Sequence, residues 1–167
     1  MGRALSGNER QTAAARVVFW HGSMANAMAQ DIGAQAAFPG RQVISLSGDG
    51  GFPMLMGDLL TLRQHRLPVK VVVFNNGAAL GFIELKQKST GFLDFGTELR
   101  NPNFAAMAEA VGIRGIRLED PTEGSEEITA ALAHKGPVLI DAVVNGTELA
   151  MPPSIALEMA KGFALYR

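Results

Sequence analysis

At 167 residues the chain has room for one ordinary domain and not for two comfortable ones. Its apolar fraction, 47%, is enough to bury a core, and a formal net charge of −1 gives no electrostatic reason to expect nucleic acid as a partner. It has no cysteine, which excludes disulfides and thiolate chemistry and suits a reducing, cytoplasmic setting.

The opening segment, "MGRALSGNERQTAAARVVFWHG", carries charge without an apolar h-region and does not read as a signal peptide. No stretch approaches the ~18 to 20 apolar residues of a membrane span. Val17 to Trp20 is a short apolar run expected to form a strand. Ser23 to Ala37 is alanine-rich and predicts a helix, with Ser23 placed as an N-cap. Pro39-Gly40 makes a turn, and Val43 to Ser47 a strand. Met54 to His65 carries Leu55, Leu59 and Leu62 at helical spacing. Pro68 precedes Val69 to Phe74, whose β-branched density marks a buried strand.

Asn75-Asn76-Gly77 closes that strand. Phe82 to Lys88 reads as a helical turn and Ser89 to Pro102 as a loop. Asn103 to Val111 predicts a helix closed by Gly112, and Ile113 to Leu118 a strand. Glu123 to His134 predicts a helix whose early acidic residues suit its dipole. Pro137 to Val144 is a last apolar strand, and Pro152-Pro153 precedes a final helix from Ser154. Strands alternate with helices and are apolar throughout. The fold class expected is α/β: an open, doubly wound, mostly parallel sheet with helices on both faces. His21, His65 and His134 do not stand at metal-ligand spacing, so a histidine zinc site is not expected.

In such a sheet, ligands bind beyond the carboxyl ends of the strands. Gly48-Asp49-Gly50-Gly51 sits at one such end and Asn75-Asn76-Gly77 at another. The glycine turn alone has a bland reading, a tight strand-to-helix connection. It is not a dinucleotide fingerprint: the third glycine position is Pro53, and Asn75-Asn76 stands where the ribose-binding acid belongs. A Walker P-loop fails for lack of a following Gly-Lys-Ser/Thr. Taken together, the turns offer a carboxylate oxygen from Asp49 and an amide oxygen from Asn76, with a backbone carbonyl nearby. Those are hard ligands of the kind magnesium takes beside substrate phosphates. Glycine N–H groups and a helix N-terminus would face the phosphates.

Asp49 and Asn76 stand 27 positions apart, and GDG followed by NN at this spacing resembles the thiamine diphosphate-binding signature. "HGSMANAMAQDIGAQ", "GDGGFPMLMGDLLTL", "LPVKVVVFNN" and "ELAMPPSIALEMAKGFALYR" are together similar to the C-terminal domain of the quinone-linked pyruvate dehydrogenases, or pyruvate oxidases, of the acetolactate synthase-like family. The resemblance runs over residues 21–167; residues 1–20 look atypical of it.

The resemblance implies roles for matching positions. Asp49 and Asn76 would ligate Mg2+ through side chains and Ala78 through its carbonyl, although "NNGAALGF" is one residue longer than the family loop and leaves Ala79 as an alternative. Gly22, Ser23, Gly50 and Gly51 would line the diphosphate. Met24 would be the wedge that holds the cofactor bent, against the plainer reading of a core methionine. Gly77, Leu80, Gly81 and Phe82 belong to the loop expected to close over it. No catalytic side chain is expected in this chain: the cofactor-activating glutamate belongs to a pyrimidine-binding domain, and Glu84, Glu98 and Glu109 lie in the wrong domain for that role. FAD would enter only through a further domain.

The implied activity is oxidative decarboxylation of pyruvate, with acetolactate synthase or another 2-oxo acid decarboxylase as the alternative and a non-catalytic module as the rival of another class. The chain alone is expected to lack full activity and to self-associate or join a partner chain. The related quinone-linked enzymes continue into a membrane-binding peptide; here Ile155, Met159, Phe163 and Tyr166 form a short stripe expected to pack on its own domain. No membrane partner is expected.

Overall fold

The computed structural model describes residues 23–77, 80–122 and 124–145, together with residues 161 and 164. The expected strand at Val17 to Trp20 and the stripe Ile155, Met159, Phe163 and Tyr166 lie outside the described residues, as does most of the helix expected from Ser154. The elements in chain order are α1 (Asn26–Ala37), β1 (Ile44–Gly48), a 3-10 turn (Phe52–Leu55), α2 (Asp58–His65), β2 (Lys70–Asn75), α3 (Gly81–Ser89), α4 (Phe104–Ala110), β3 (Arg114–Leu118), α5 (Gly124–Ala133) and β4 (Val138–Val143). The strands form one four-stranded sheet in the order β1-β2-β4-β3, every neighbouring pair parallel. This is the α/β architecture that the alternation of apolar strands and helices predicts.

One face of the sheet packs against α1, α2 and α4. Val71 and Val73 of β2 and Leu139 of β4 meet Met28, Leu59, Leu62, Phe104 and Ala108 there. Phe52 and Phe104 meet edge to face, with centroids 5.4 Å apart. On the other face, Val138 and Ile140 pack with Ala131 of α5. Side chains alternate along a strand, so the register decides which face each residue serves. Ser47, Val73, Asp141 and Arg117 stand in one row across the sheet.

Four local expectations change. Ser23 is not the N-cap of α1: the helix begins at Asn26, and its N-cap, Ala25, adopts φ 71° without a side-chain cap bond. The Ala25 backbone packs closely against Gly51 here: its N lies 3.2 Å from where a Gly51 Cβ would sit. The helix expected over Met54 to His65 is split: Met54 and Leu55 finish a 3-10 turn that begins at Phe52-Pro53, and Gly57 precedes a separate α2. The turn expected at Phe82 to Lys88 is a full helix, α3, supported by a Glu84–Lys88 ion pair one turn apart. Finally, β1 is not buried on both faces by the described residues. Ser45 and Ser47 point inward, while Ile44 and Leu46 remain 44% and 59% exposed.

Candidate cofactor site

The two turns singled out by sequence meet at the carboxyl edge of β1 and β2. The N–H of Asp49 donates to the Phe74 carbonyl at 3.1 Å, which extends the β1–β2 pairing by one residue and carries the Asp49 side chain alongside Asn75. The Asn75-Asn76-Gly77 turn then folds around the carboxylate. Backbone N–H groups of Asn76 and Gly77 donate to Asp49 Oδ2 at 3.0 and 3.1 Å. Gly77 makes this possible at φ +62°, a conformation that costs glycine little. A third donor, Asn101 Nδ2, reaches the same oxygen at 2.6 Å. Asp49 is 5% exposed. Among the described residues its Oδ1 accepts no hydrogen bond.

Glycines form the floor beside it. A Cβ on Gly50 would lie 2.5 Å from Leu80 Cδ2 and 3.3 Å from Met24 Cε; one on Gly51 would lie 3.2 Å from the Ala25 backbone. The segment before α1 and the loop before α3 therefore converge on the glycine turn. Met24, Asp49, Gly50, Gly51, Asn76, Gly77 and Leu80 are brought to one edge of the sheet, and Ser23, next to Met24 in the chain, is exposed. Gly22, Ala78 and Ala79 lie outside the described residues. Met24 is half exposed, and Met28 fills the core position instead. Gly81 opens α3, and Phe82 projects from it at 69% exposure. Ile83, Phe92, Leu93 and Phe95 add further exposed apolar side chains on α3 and the loop that follows.

Behind Asp49 lies a polar network that sequence reading missed. Asn101 Nδ2 also donates to Asn75 Oδ1 at 2.9 Å, and Asn75 Nδ2 donates to Asp141 Oδ1 at 2.9 Å. Asp141 is fully buried; its Oδ2 accepts from the Phe104 N–H at 3.1 Å and from Arg117 Nη1 at 2.7 Å. The Arg117 pKa is raised, first by its hydrogen bond to Glu119, with the charges of Asp141 and Glu119 adding to it against desolvation. Asp141 had a signal in the sequence, a lone carboxylate inside the apolar run "PVLIDAVV". Asn101 had none. A cleft of about 580 Å³ opens beside the network, lined by Asn75, Gly77, Glu98, Asn101, Arg117 and Val143. Glu84 and Glu109 serve local contacts, with Lys88 and with the Gly115 N–H respectively.

The donor set suits a hard divalent cation that keeps phosphate oxygens as ligands. It offers one carboxylate and a side-chain amide at a glycine-floored edge, and no group of three or more His, Cys, Asp or Glu that would make a protein-only cage exists among the described residues. Among those residues, too, no helix is long and apolar enough to cross a membrane.

Comparison with known proteins agrees with this chemistry. Residues 4–142 match the family model described as "Thiamine pyrophosphate enzyme, C-terminal TPP binding domain"; the match begins within the segment that looked atypical. The chain is 38% identical over 147 residues to the "Putative thiamine pyrophosphate-containing protein YdaP" of Bacillus subtilis (strain 168), covering 88% of this chain and 25% of that protein. It is 38% identical over 136 residues to the pyruvate oxidase of Lactiplantibacillus plantarum, covering 80% and 22%, and 33% identical over 133 residues to the acetolactate synthase large subunit of Porphyra purpurea, covering 78% and 22%. Among solved structures, the thiamine diphosphate-dependent 4-hydroxybenzoylformate decarboxylase of Rhodococcus jostii RHA1 superposes with a TM-score of 0.67 at 31% identity, over 73% of this chain and 23% of that one. The chain thus spans about a quarter of the length of these relatives. Motif, fold and relatives converge: the chain belongs to the thiamine pyrophosphate enzymes, as their C-terminal TPP-binding domain.

Proposed function

We propose that this chain anchors thiamine diphosphate through Mg2+ within a pyruvate oxidase-type enzyme that decarboxylates pyruvate oxidatively to acetate and carbon dioxide. The observation that carries the proposal is the Asp49 carboxylate, gripped on Oδ2 by the N–H groups of Asn76 and Gly77, with Oδ1 accepting no hydrogen bond among the described residues. Asp49 and Asn76 would hold the ion with a carbonyl from Ala78 or Ala79. Gly22, Ser23, Gly50 and Gly51 would receive the diphosphate, because a side chain at Gly50 or Gly51 would meet neighbouring atoms. Met24, half exposed and close to Gly50, would brace the cofactor's bend, and Leu80, Gly81 and Phe82 would border it. When bound, thiamine diphosphate supplies a carbon nucleophile and an electron sink for loss of carbon dioxide from a 2-oxo acid.

This chain binds and orients; the cofactor-activating glutamate and the flavin site belong to other domains of the complete enzyme. Exposed Phe82, Phe92, Leu93 and Phe95 beside the site support self-association or a partner chain that carries the pyrimidine domain. The similarity to acetolactate synthases supports a second reading within the same chemistry, in which the substrate is again a 2-oxo acid and the acceptor differs.

Calorimetric titration of thiamine diphosphate into the purified chain, with and without Mg2+, tests the anchoring role. Magnesium-dependent binding that Asp49→Ala abolishes is the expected result. A folded wild-type chain with no such binding would remove the anchoring role from this chain and favour a non-catalytic module.

A further inference from the structure

We infer that Asn101 is a positioning residue for the metal-binding carboxylate, the last member of a relay that begins at buried Asp141; the inference rests on the cofactor reading above. The relay has a forced direction. A carboxylate only accepts hydrogen bonds, whereas an amide presents a donor end and an acceptor end. Asp141 Oδ1 faces Asn75 at 2.9 Å, so Asn75 must turn its Nδ2 that way and its Oδ1 toward Asn101. Asn101 must then present Nδ2, which has two hydrogens. One goes to Asn75 Oδ1 at 2.9 Å and the other to Asp49 Oδ2 at 2.6 Å. Two acceptor-only groups at the ends thus settle the orientation of both amides between them.

Asp141 itself cannot turn. The Phe104 N–H and Arg117 Nη1 hold its Oδ2 at 3.1 and 2.7 Å, and none of its surface is exposed. The rigid end of the relay lies in the sheet; the working end is the loop before α4. The two backbone N–H bonds to Asp49 come from the same turn that carries Asn76 and shift with it. Asn101 reaches Asp49 from 52 positions away and ties the carboxylate to the sheet instead. With Oδ2 bound to three donors, rotation of the carboxylate is blocked and Oδ1 keeps its direction. Partners that orient a metal ligand in this way typically contribute tenfold to a hundredfold in metal affinity.

The test compares Asn101→Ala, Asn101→Asp and Asn103→Asp with wild type. Asn103→Asp makes the same charge change two positions away, where an aspartate keeps the N-cap bond to Ala106 N and the relay is untouched. The readout is the apparent Mg2+ constant in calorimetric titration of thiamine diphosphate, with folding checked by circular dichroism. The expected result is a constant about tenfold or more weaker in Asn101→Ala, no binding in Asn101→Asp, where two carboxylates and an amide oxygen face one another, and wild-type behaviour in Asn103→Asp. A folded Asn101→Ala with the wild-type constant overturns the inference and leaves the cofactor reading standing. No Mg2+-dependent binding by wild type overturns both, and is told apart because the unaltered chain fails. Should the Asn101 variants not fold, wild-type NMR decides: the Asn101 side-chain amide resonances move with Mg2+ and thiamine diphosphate and saturate with the calorimetric curve, whereas unmoved resonances overturn the inference.

Discussion

The two ends of the sheet each bury a charge, and they treat it differently. At the carboxyl edge Asp141, with none of its surface exposed, meets an arginine, a backbone N–H and the Asn75 amide, and through Asn75 and then Asn101 reaches Asp49 on the far side of β2. At the amino edge Lys70, 2% exposed, meets only carbonyls among the described residues: its Nζ donates to His134 and Gly136 oxygens at 2.6 Å each. Among the described residues it has no counter-ion, and burial lowers its pKa. Lys70 therefore clamps one turn, the passage from α5 into β4. Asp141 connects β2, β3, β4 and the start of α4, and a shift in any of them is felt at the candidate site. A buried charge acts beyond its neighbours only where its partners have partners of their own.

The contrast can be broken most severely at Gly115. A Cβ there would lie 2.1 Å from the Ala105 carbonyl oxygen, a backbone atom that cannot turn aside. Gly115→Ala should force α4 off β3, pull the Phe104 N–H from Asp141 and cost about 3 kcal/mol or more in denaturant unfolding. The Lys70 clamp, at the other edge, should survive in the crystal structure of any folded variant. Next comes Asp141→Ala. It leaves Arg117, Asn75 and the Phe104 N–H without their shared acceptor, and should cost about 2 to 3 kcal/mol, since Arg117 can turn toward water. Asp141→Asn should cost less, yet still disturb the site, because its amide can satisfy either Asn75 or the other two donors in full but not all three. Cofactor titration on the two variants separates lost stability from a misdirected Asp49.

Lys70→Met sharpens the comparison from the opposite side. It removes an unpaired buried cation and leaves two carbonyls, so the change at pH 7 should stay within about 1 kcal/mol. The pH dependence carries the sign. A lysine whose folded pKa lies below its unfolded value binds more protons in the unfolded state. Wild-type stability should therefore rise with pH from the lowered folded pKa toward about 10.4, and this rise should be missing in Lys70→Met. Urea midpoints across the alkaline range measure it; an identical slope in both proteins would show that the two carbonyls fully compensate for burial. The smallest stability effect belongs to Gly50→Ala. The atoms it would meet are the ends of Leu80 and Met24, which can swing away at about 1 kcal/mol or less. Cofactor affinity, by contrast, should fall clearly, since both side chains border the proposed diphosphate edge.

What the sequence determined by itself was periodic or motif-bound. Runs such as "VKVVVF" and "PVLIDAVV" declared buried parallel strands, because a strand covered by helices must be apolar along its length. GDG and NN declared a pair of turns that the parallel register then set side by side, with Asp49 accepting from the Asn76 N–H. Local helix limits were less legible. One apolar rhythm over Met54 to His65 became a 3-10 turn and a separate α2 from Asp58, and α1 begins at Asn26, after an Ala25 that packs close to Gly51. Only the tertiary structure decided that Asn101 serves Asp49, that Asn75 faces inward, and that Asp141 is paired with Arg117. The reason is physical. Hydrophobic pattern and turn chemistry act between residues a few positions apart and leave a rhythm in the chain. A hydrogen bond across 52 positions leaves none, and becomes visible only when three strands and a loop have brought its atoms within reach.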